Sequence, residues 1–185
     1  MLLIACIIIS FLLGLRETEK NYLSSVLGSI VIARNPLCSS DLEQLLGVRD
    51  ALSTISQLSP VLSISETGQV QSCHQSVTDF LLAPKRSKAF WVDSQKYSLC
   101  LAGYCLKFMN AVLRFNFFDL ETSHVLNNDI PELESHIESV KSTALDHASY
   151  FWAIYLQRSS NETLHWEVMF QMEKFLMDQL PEVTG

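Results

Sequence analysis

Nowhere in its 185 residues does the chain carry a G-x-x-x-x-G-K-[ST] run. Without that loop there is no P-loop cradle for phosphates. No acidic residue follows a short apolar strand in the arrangement that holds Mg²⁺ beside such a loop, so both parts that phosphoryl transfer requires are missing. G-x-S-x-G is absent as well, which removes the nucleophile elbow of a hydrolase. The five cysteines, Cys6, Cys38, Cys73, Cys100 and Cys105, are odd in number and none has C-x-x-C spacing. A disulfide scaffold or a zinc site is therefore not expected. Such cysteines usually serve as small buried hydrophobes, and their use suits an intracellular chain. His124, His136, His147 and His165 show no H-x-x-x-H or H-E-x-x-H spacing, and Asp146-His147 reads as a surface pair on a helix. Cys73 and His74 are adjacent, and strand neighbours point to opposite faces, so they make a poor nucleophile and base. No catalytic residue and no metal ligand is assigned, and the chain reads as non-enzymatic.

Charge is scarce too. Only 18% of residues are charged, with 13 basic against 20 acidic side chains and a net charge of −7. That balance argues against broad electrostatic capture of nucleic acid. Six Gly and five Pro exclude collagen-like and low-complexity chains, and 48% hydrophobic residues exclude a largely disordered one. The acidity is uneven: residues 1–87 carry six basic and seven acidic groups, whereas residues 88–185 carry seven and thirteen. This shift suggests two structural units.

The long hydrophobic run is at the start. MLLIACIIISFLLGL, residues 1–15, is interrupted only by Ser10 and Gly14, and Arg16, Glu17, Glu19 and Lys20 follow at once. It falls short of the roughly 17–25 residues of a spanning helix, and it lacks a basic leading region and a clear A-x-A cleavage site. The readings left open are a signal or short membrane anchor, a buried strand or helix start, and the edge of a truncated chain. Asn161-Glu162-Thr163 is a glycosylation sequon that matters only for an exported chain.

From Tyr22 to Ala33, apolar residues at 23, 26, 27, 30 and 31 have helical spacing, and Asn35-Pro36 stops the helix. A short helix follows, capped by Ser39 or Ser40, with Glu43 completing a capping box with Ser40 and Gly47 at its C-terminal cap. Val48 to Leu58 is a third helix, closed by Ser59-Pro60. Val61–Ile64 and Val70–Cys73 flank the turn Glu66-Thr67-Gly68-Gln69 as a hairpin. A further helix runs from Gln75 to Leu82 and ends at Pro84. Three helices, a hairpin and a helix form a winged-helix pattern, with the second and third helices as its helix-turn-helix.

The rest reads as all-helical. Residues 94–115 form a long helix whose buried face is marked by Tyr97, Leu101, Tyr104, Cys105, Phe108 and Val112. Phe115-Asn116-Phe117-Phe118 is an apolar link, and residues 119–136 are polar and turn-rich. A helix from Val140 to Leu156 places Ala144, Ala148, Phe151, Trp152 and Tyr155 on one face. The last helix, Glu162 to Gln179, buries Leu164, Val168, Met172 and Phe175. Such aromatic stripes are core rather than a cofactor box. The expected fold is mainly α: an apolar segment at 1–19, a winged helix with a small β-hairpin wing at 20–87, and an all-helical unit at 88–180.

The ordered series VLGSIVIARNPLCSSDLEQLLG, LSPVLSI, CHQSVTDFLL, KAFWVDSQKYSLCLAGYCLKFM and HASYFWAIYL resembles a known segment. It is similar to the winged-helix and helical domains that follow the NACHT module in fungal, NLR-like STAND-class ATPases, many of which carry WD or ankyrin repeats downstream. The resemblance covers residues 22–157 and, more weakly, extends to 177. It implies that the winged helix closes over nucleotide held by the NACHT module. It also implies that a His at the start of the helix after the wing reaches the ADP β-phosphate. Fungal members write this stretch Leu-His-Pro-Ser-Phe-x-Asp-Phe-Leu. Here it is Cys73-His74-Gln75-Ser76-Val77-Thr78-Asp79-Phe80-Leu81, so His74 takes the sensor position and Gln75 departs from the usual Pro. A helix N-terminus suits a phosphate on general grounds, and the bland alternative is that His74 merely caps its helix.

The resemblance implies a regulatory, protein-interacting segment in signal transduction. ADP or ATP would be held only in company with a NACHT module, in cis or in trans, and no cofactor is expected in this chain alone. The chain would then be a truncated product, a remnant or a stand-alone partner of intact relatives, prone to self-association and cytoplasmic. A membrane or secretory location through residues 1–15 is the alternative, tested by replacing Ile7, Ile8 and Ile9 with Asp. DNA binding is the weaker rival: Val48–Leu58 carries one Arg49 balanced by Asp50, and the wing turn has an acid and no base.

Overall fold

The structure is a computed structural model that describes residues 17–114, Phe117, 132–159 and 166–179. Helix α1 spans Glu17–Ile32 and β1 spans Leu37–Cys38; α2 is Ser39–Leu46 and α3 is Ala51–Gln57. Strands β2 (Leu62–Ile64) and β3 (Gln69–Ser72) follow, then α4 (Gln75–Leu81) and the single turn α5 (Pro84–Ser87). The long α6 (Ser94–Val112), α7 (Leu133–Val140), α8 (Thr143–Arg158) and α9 (Trp166–Gln179) complete a mainly helical chain. Residues 1–15, most of the 115–131 link, and the sequon at 161–163 lie outside the described residues.

Local chemistry explains most of the boundaries. Gly47 ends α2 in the left-handed conformation, φ 63°, that a C-terminal cap asks for. The start of α2 differs from expectation. Cys38 is the N-cap, its backbone N–H donates to Asp41 Oδ2 at 3.1 Å, and the capping box joins Cys38 to Asp41 rather than Ser40 to Glu43. Glu43 instead accepts from the Ala51 N–H at 2.8 Å, tying α2 to α3. The third helix is shorter than the spacing predicts, because Asp50 adopts φ 57° and its carboxylate caps Ser53 N–H, leaving Val48 and Arg49 in the turn. Pro84 closes one helix and opens the next, occupying the first turn where its missing N–H costs nothing. Ser142 caps Leu145 N–H and so starts α8 three residues later than expected.

The hairpin is present, and a third strand joins it. β3 lies between β1 and β2, antiparallel to both, with Leu37 opposite Val70 and Leu62 opposite Ser72. Its turn runs from Ser65 to Gly68, which has φ 78°, and Gly68 N–H donates to Ser65 O at 2.9 Å. Leu37, Leu62 and Val70 are buried, so one sheet face supplies the core.

That core is continuous. Leu23, Val26, Leu42, Ile55, Val61, Val77 and Leu81 from the first half join Leu101, Leu106, Met109, Ala148 and Tyr155 from the second in one buried cluster. Helix α6 is its axis and touches α1, α2, α8 and α9. Being enclosed on several sides, it buries Ser98, Ala102, Leu106 and Met109 along with Leu101 and Cys105. Tyr97, Tyr104, Phe108 and Val112, expected on its buried face, are only half-buried. Gly28 allows the close approach of α1 to α6, since a Cβ there would run into the Tyr97 ring. On α9, Val168 is buried and Met172 and Phe175 half-buried, whereas Leu164 lies outside the described residues. Among the described residues no helix is long and apolar enough to cross a membrane.

Candidate functional site

His74 is the N-cap of α4, at the end of the hairpin. Its backbone is extended, φ −154° and ψ 141°, which aims the side chain back over the first helical turn. Nδ1 accepts the Ser76 N–H at 3.0 Å and lies 2.8 Å from Ser76 Oγ. The His74 carbonyl accepts the Val77 N–H at 2.9 Å. With Nδ1 accepting, the ring proton of the neutral imidazole sits on Nε2, an assignment made from these partners. The residue is exposed. His74 therefore caps its helix and at the same time presents an N–H on its far side. Gln75 is the first residue of α4, and its amide donates to Asp79 Oδ1 at 3.1 Å one turn on. Ser72 and Thr78 hydroxyls, 3.1 Å apart, pin the last strand to the same helix.

Cys73 is exposed, contrary to the expectation of a buried hydrophobe, and its thiol faces Ser59 O at 3.9 Å. Cys38, Cys73, Cys100 and Cys105 are all free thiols. Of these four, Cys105 alone is fully buried, and burial pushes its thiol up to about 12. Helix α3 carries neither Lys nor Arg. Among the described residues no three His, Cys, Asp or Glu side chains converge as a metal site would require.

A second constellation escaped the sequence reading. His147 is not a surface residue: it is 5% exposed, while its neighbour Asp146 pairs with Lys141 at 2.9 Å. His147 Nε2 lies 2.9 Å from the hydroxyl of Tyr155, which is fully buried. The same hydroxyl accepts the backbone N–H of Arg34 at 2.9 Å, across 121 residues of sequence. At the start of α8, Thr143 donates to Asp41 Oδ1, and Asp41 is itself buried. Thr143, His147 and Tyr155 recur at multiples of four along α8, so one helix face is bound by polar groups to the start of α2 and the end of α1. Burial pushes the His147 imidazole below its ordinary range, and the Asp41 carboxylate partly offsets this. Burial likewise raises the Tyr155 phenol to about 12, against the opposing pull of the Arg34 hydrogen bond. The only available signal was the buried spacing of Ala144, Ala148 and Tyr155, which places His147 beside that stripe.

A cavity of about 330 Å³ lies between α6 and α9, and Lys96, Cys100, Tyr104, Lys107, Glu167 and Val168 are among the residues that line it. Burial raises the Cys100 thiol, so it stays protonated and is a poor nucleophile. No family model matches the sequence, and neither a curated protein nor a solved structure matches the chain.

Proposed function

We propose that this chain is a non-enzymatic regulatory segment of the STAND type, a winged helix joined to a helical relay, whose partner is a NACHT-type ATPase module. The observation that carries the reading is His74, set at the first turn after the hairpin with Nδ1 engaged and Nε2 left to donate. That is the placement a phosphate oxygen needs from a neutral histidine. The element order supports it: helix, strand, two helices joined at Gly47, then a hairpin whose return strand lies at the centre of the sheet. In this reading α2 and α3 are the helix-turn-helix and β2–β3 the wing. Exposed Leu52, Ile64, Leu82 and Trp91 supply apolar surface for such a module to cover. The hydrogen bond from the Arg34 N–H to the Tyr155 hydroxyl gives the helical part a means of following the winged part.

The sequence carries no P-loop motif, so in this reading the ATPase module supplies the phosphate cradle and the metal holder. Calorimetric titration tests this in two arms. ADP added to the purified chain gives no saturable heat, whereas the chain added to an ADP-loaded NACHT module binds stoichiometrically and more tightly than to the ATP-loaded form. Micromolar binding of ADP to the chain alone, or indifference to the nucleotide on the module, refutes the proposal.

A further inference from the structure

Helix α9 is apolar on two opposite sides. Val168, Met172 and Phe175 turn inward, and Phe175 lies 6.0 Å from the Trp152 ring of α8. Facing away are Met169, Phe170, Leu176 and Met177, with Phe170 55% and Met177 71% exposed. An ordinary surface helix has a single apolar stripe, and an outward one of this kind marks an interaction surface. Glu173 and Lys174 are both exposed on the same stretch, one turn from Phe170 and one from Met177.

We infer that this face is a homodimer interface, in which α9 pairs antiparallel with α9 of a second copy. The occupant is argued from self-complementarity. A two-fold axis between Glu173 and Lys174 sets Phe170 of each copy against Met177 of the other. The same operation sets each Glu173 against the opposite Lys174, giving two apolar pairs around two reciprocal ion pairs. Closed two-fold symmetry requires this kind of matching, and another register does not give it: centring the axis on Glu173 opposes two like carboxylates. The outward side chains leave on the order of 400–500 Å² of apolar surface, below the roughly 800 Å² per partner of a standard interface. The dimer is therefore concentration-dependent. The inference stands apart from the nucleotide reading, because α9 lies beyond the segment that carries His74.

Sedimentation equilibrium of the full chain tests it. The expected mass rises from 20.9 kDa towards twice that value as concentration increases. Phe170→Glu and Lys174→Glu each hold the chain at one copy with unchanged circular dichroism. The double variant Glu173→Lys, Lys174→Glu, which exchanges the charges, regains at least tenfold of the association lost in Lys174→Glu. A chain that stays single at all concentrations overturns the inference. So does self-association that neither single substitution weakens, or a charge exchange that restores nothing.

Discussion

Replacing Tyr155 by Phe removes one oxygen and leaves the buried ring. The Arg34 N–H and the His147 ring nitrogen each lose a partner at 2.9 Å, the first at a part-buried site and the second at a buried one. Leaving a buried polar group unpaired costs about 1–3 kcal/mol. Arg34 is an exposed residue and recovers part of its loss from solvent, whereas His147 does not. The sum is about 2–3 kcal/mol, a large share of a total stability of about 5–15 kcal/mol. With a urea dependence near 2 kcal/mol per molar, the midpoint falls by roughly 1 M. Urea unfolding followed by tryptophan fluorescence and circular dichroism measures it. The double variant with His147→Leu removes the stranded ring, so its destabilisation falls short of the sum of the singles by about 1 kcal/mol. A midpoint shift under about 0.25 M for Tyr155→Phe, or strict additivity in the double variant, refutes the idea that this hydroxyl holds α8 to the end of α1.

The same network sets a pH dependence. His147 is depressed by burial, so the unfolded chain binds its proton more readily; stability is full above the ordinary histidine range, near 6.5, and falls as pH drops below it, by at most about 1.4 kcal/mol per pH unit. Tyr155 is raised to about 12, so the unfolded chain loses that proton first, and stability also falls as pH rises through about 10. Thermal melts from pH 5 to 11 show both flanks, and Tyr155→Phe removes its share of the alkaline one. Gly28→Ala drives a methyl into the Tyr97 ring and costs about 1–3 kcal/mol, read as a lower urea midpoint; an unchanged midpoint means that α1 and α6 are not this close. Asp93→Ala frees the Gln95 and Lys96 N–H groups at the start of α6 and costs about 1 kcal/mol, whereas Asp93→Asn costs less than half of that.

Sequence made visible what rests on local chemistry. Gly47 stops α2 because only an αL residue serves there, and the hairpin is marked by two apolar runs around Gly68. Features set by distant contacts left weaker marks. Strand β1 is two residues long, too short for any period, and exists because Val70 and Gln69 lie opposite Leu37 and Cys38. The N-cap of α2 moved to Cys38 because Glu43, the expected capping partner, is drawn to Ala51. Helix α6 is enclosed by several neighbours, so no single stripe identifies its buried side. His147 looked like a surface residue because its charged neighbour is one, and only the fold brings Arg34 to Tyr155. At His74 both readings were available from sequence, cap and phosphate donor. The geometry is that of a cap, with Nε2 left unengaged by the cap.

One substitution separates the cap from the proposed phosphate contact. Asparagine is a good N-cap, so His74→Asn keeps an acceptor for the Ser76 N–H and removes the Nε2 donor. The measurement is the affinity of this variant for an ADP-loaded NACHT module, beside that of the unaltered chain. The account predicts unchanged thermal stability and at least a tenfold loss of affinity, confined to the ADP-loaded state. Equal affinity with equal stability would make His74 a helix cap and nothing more.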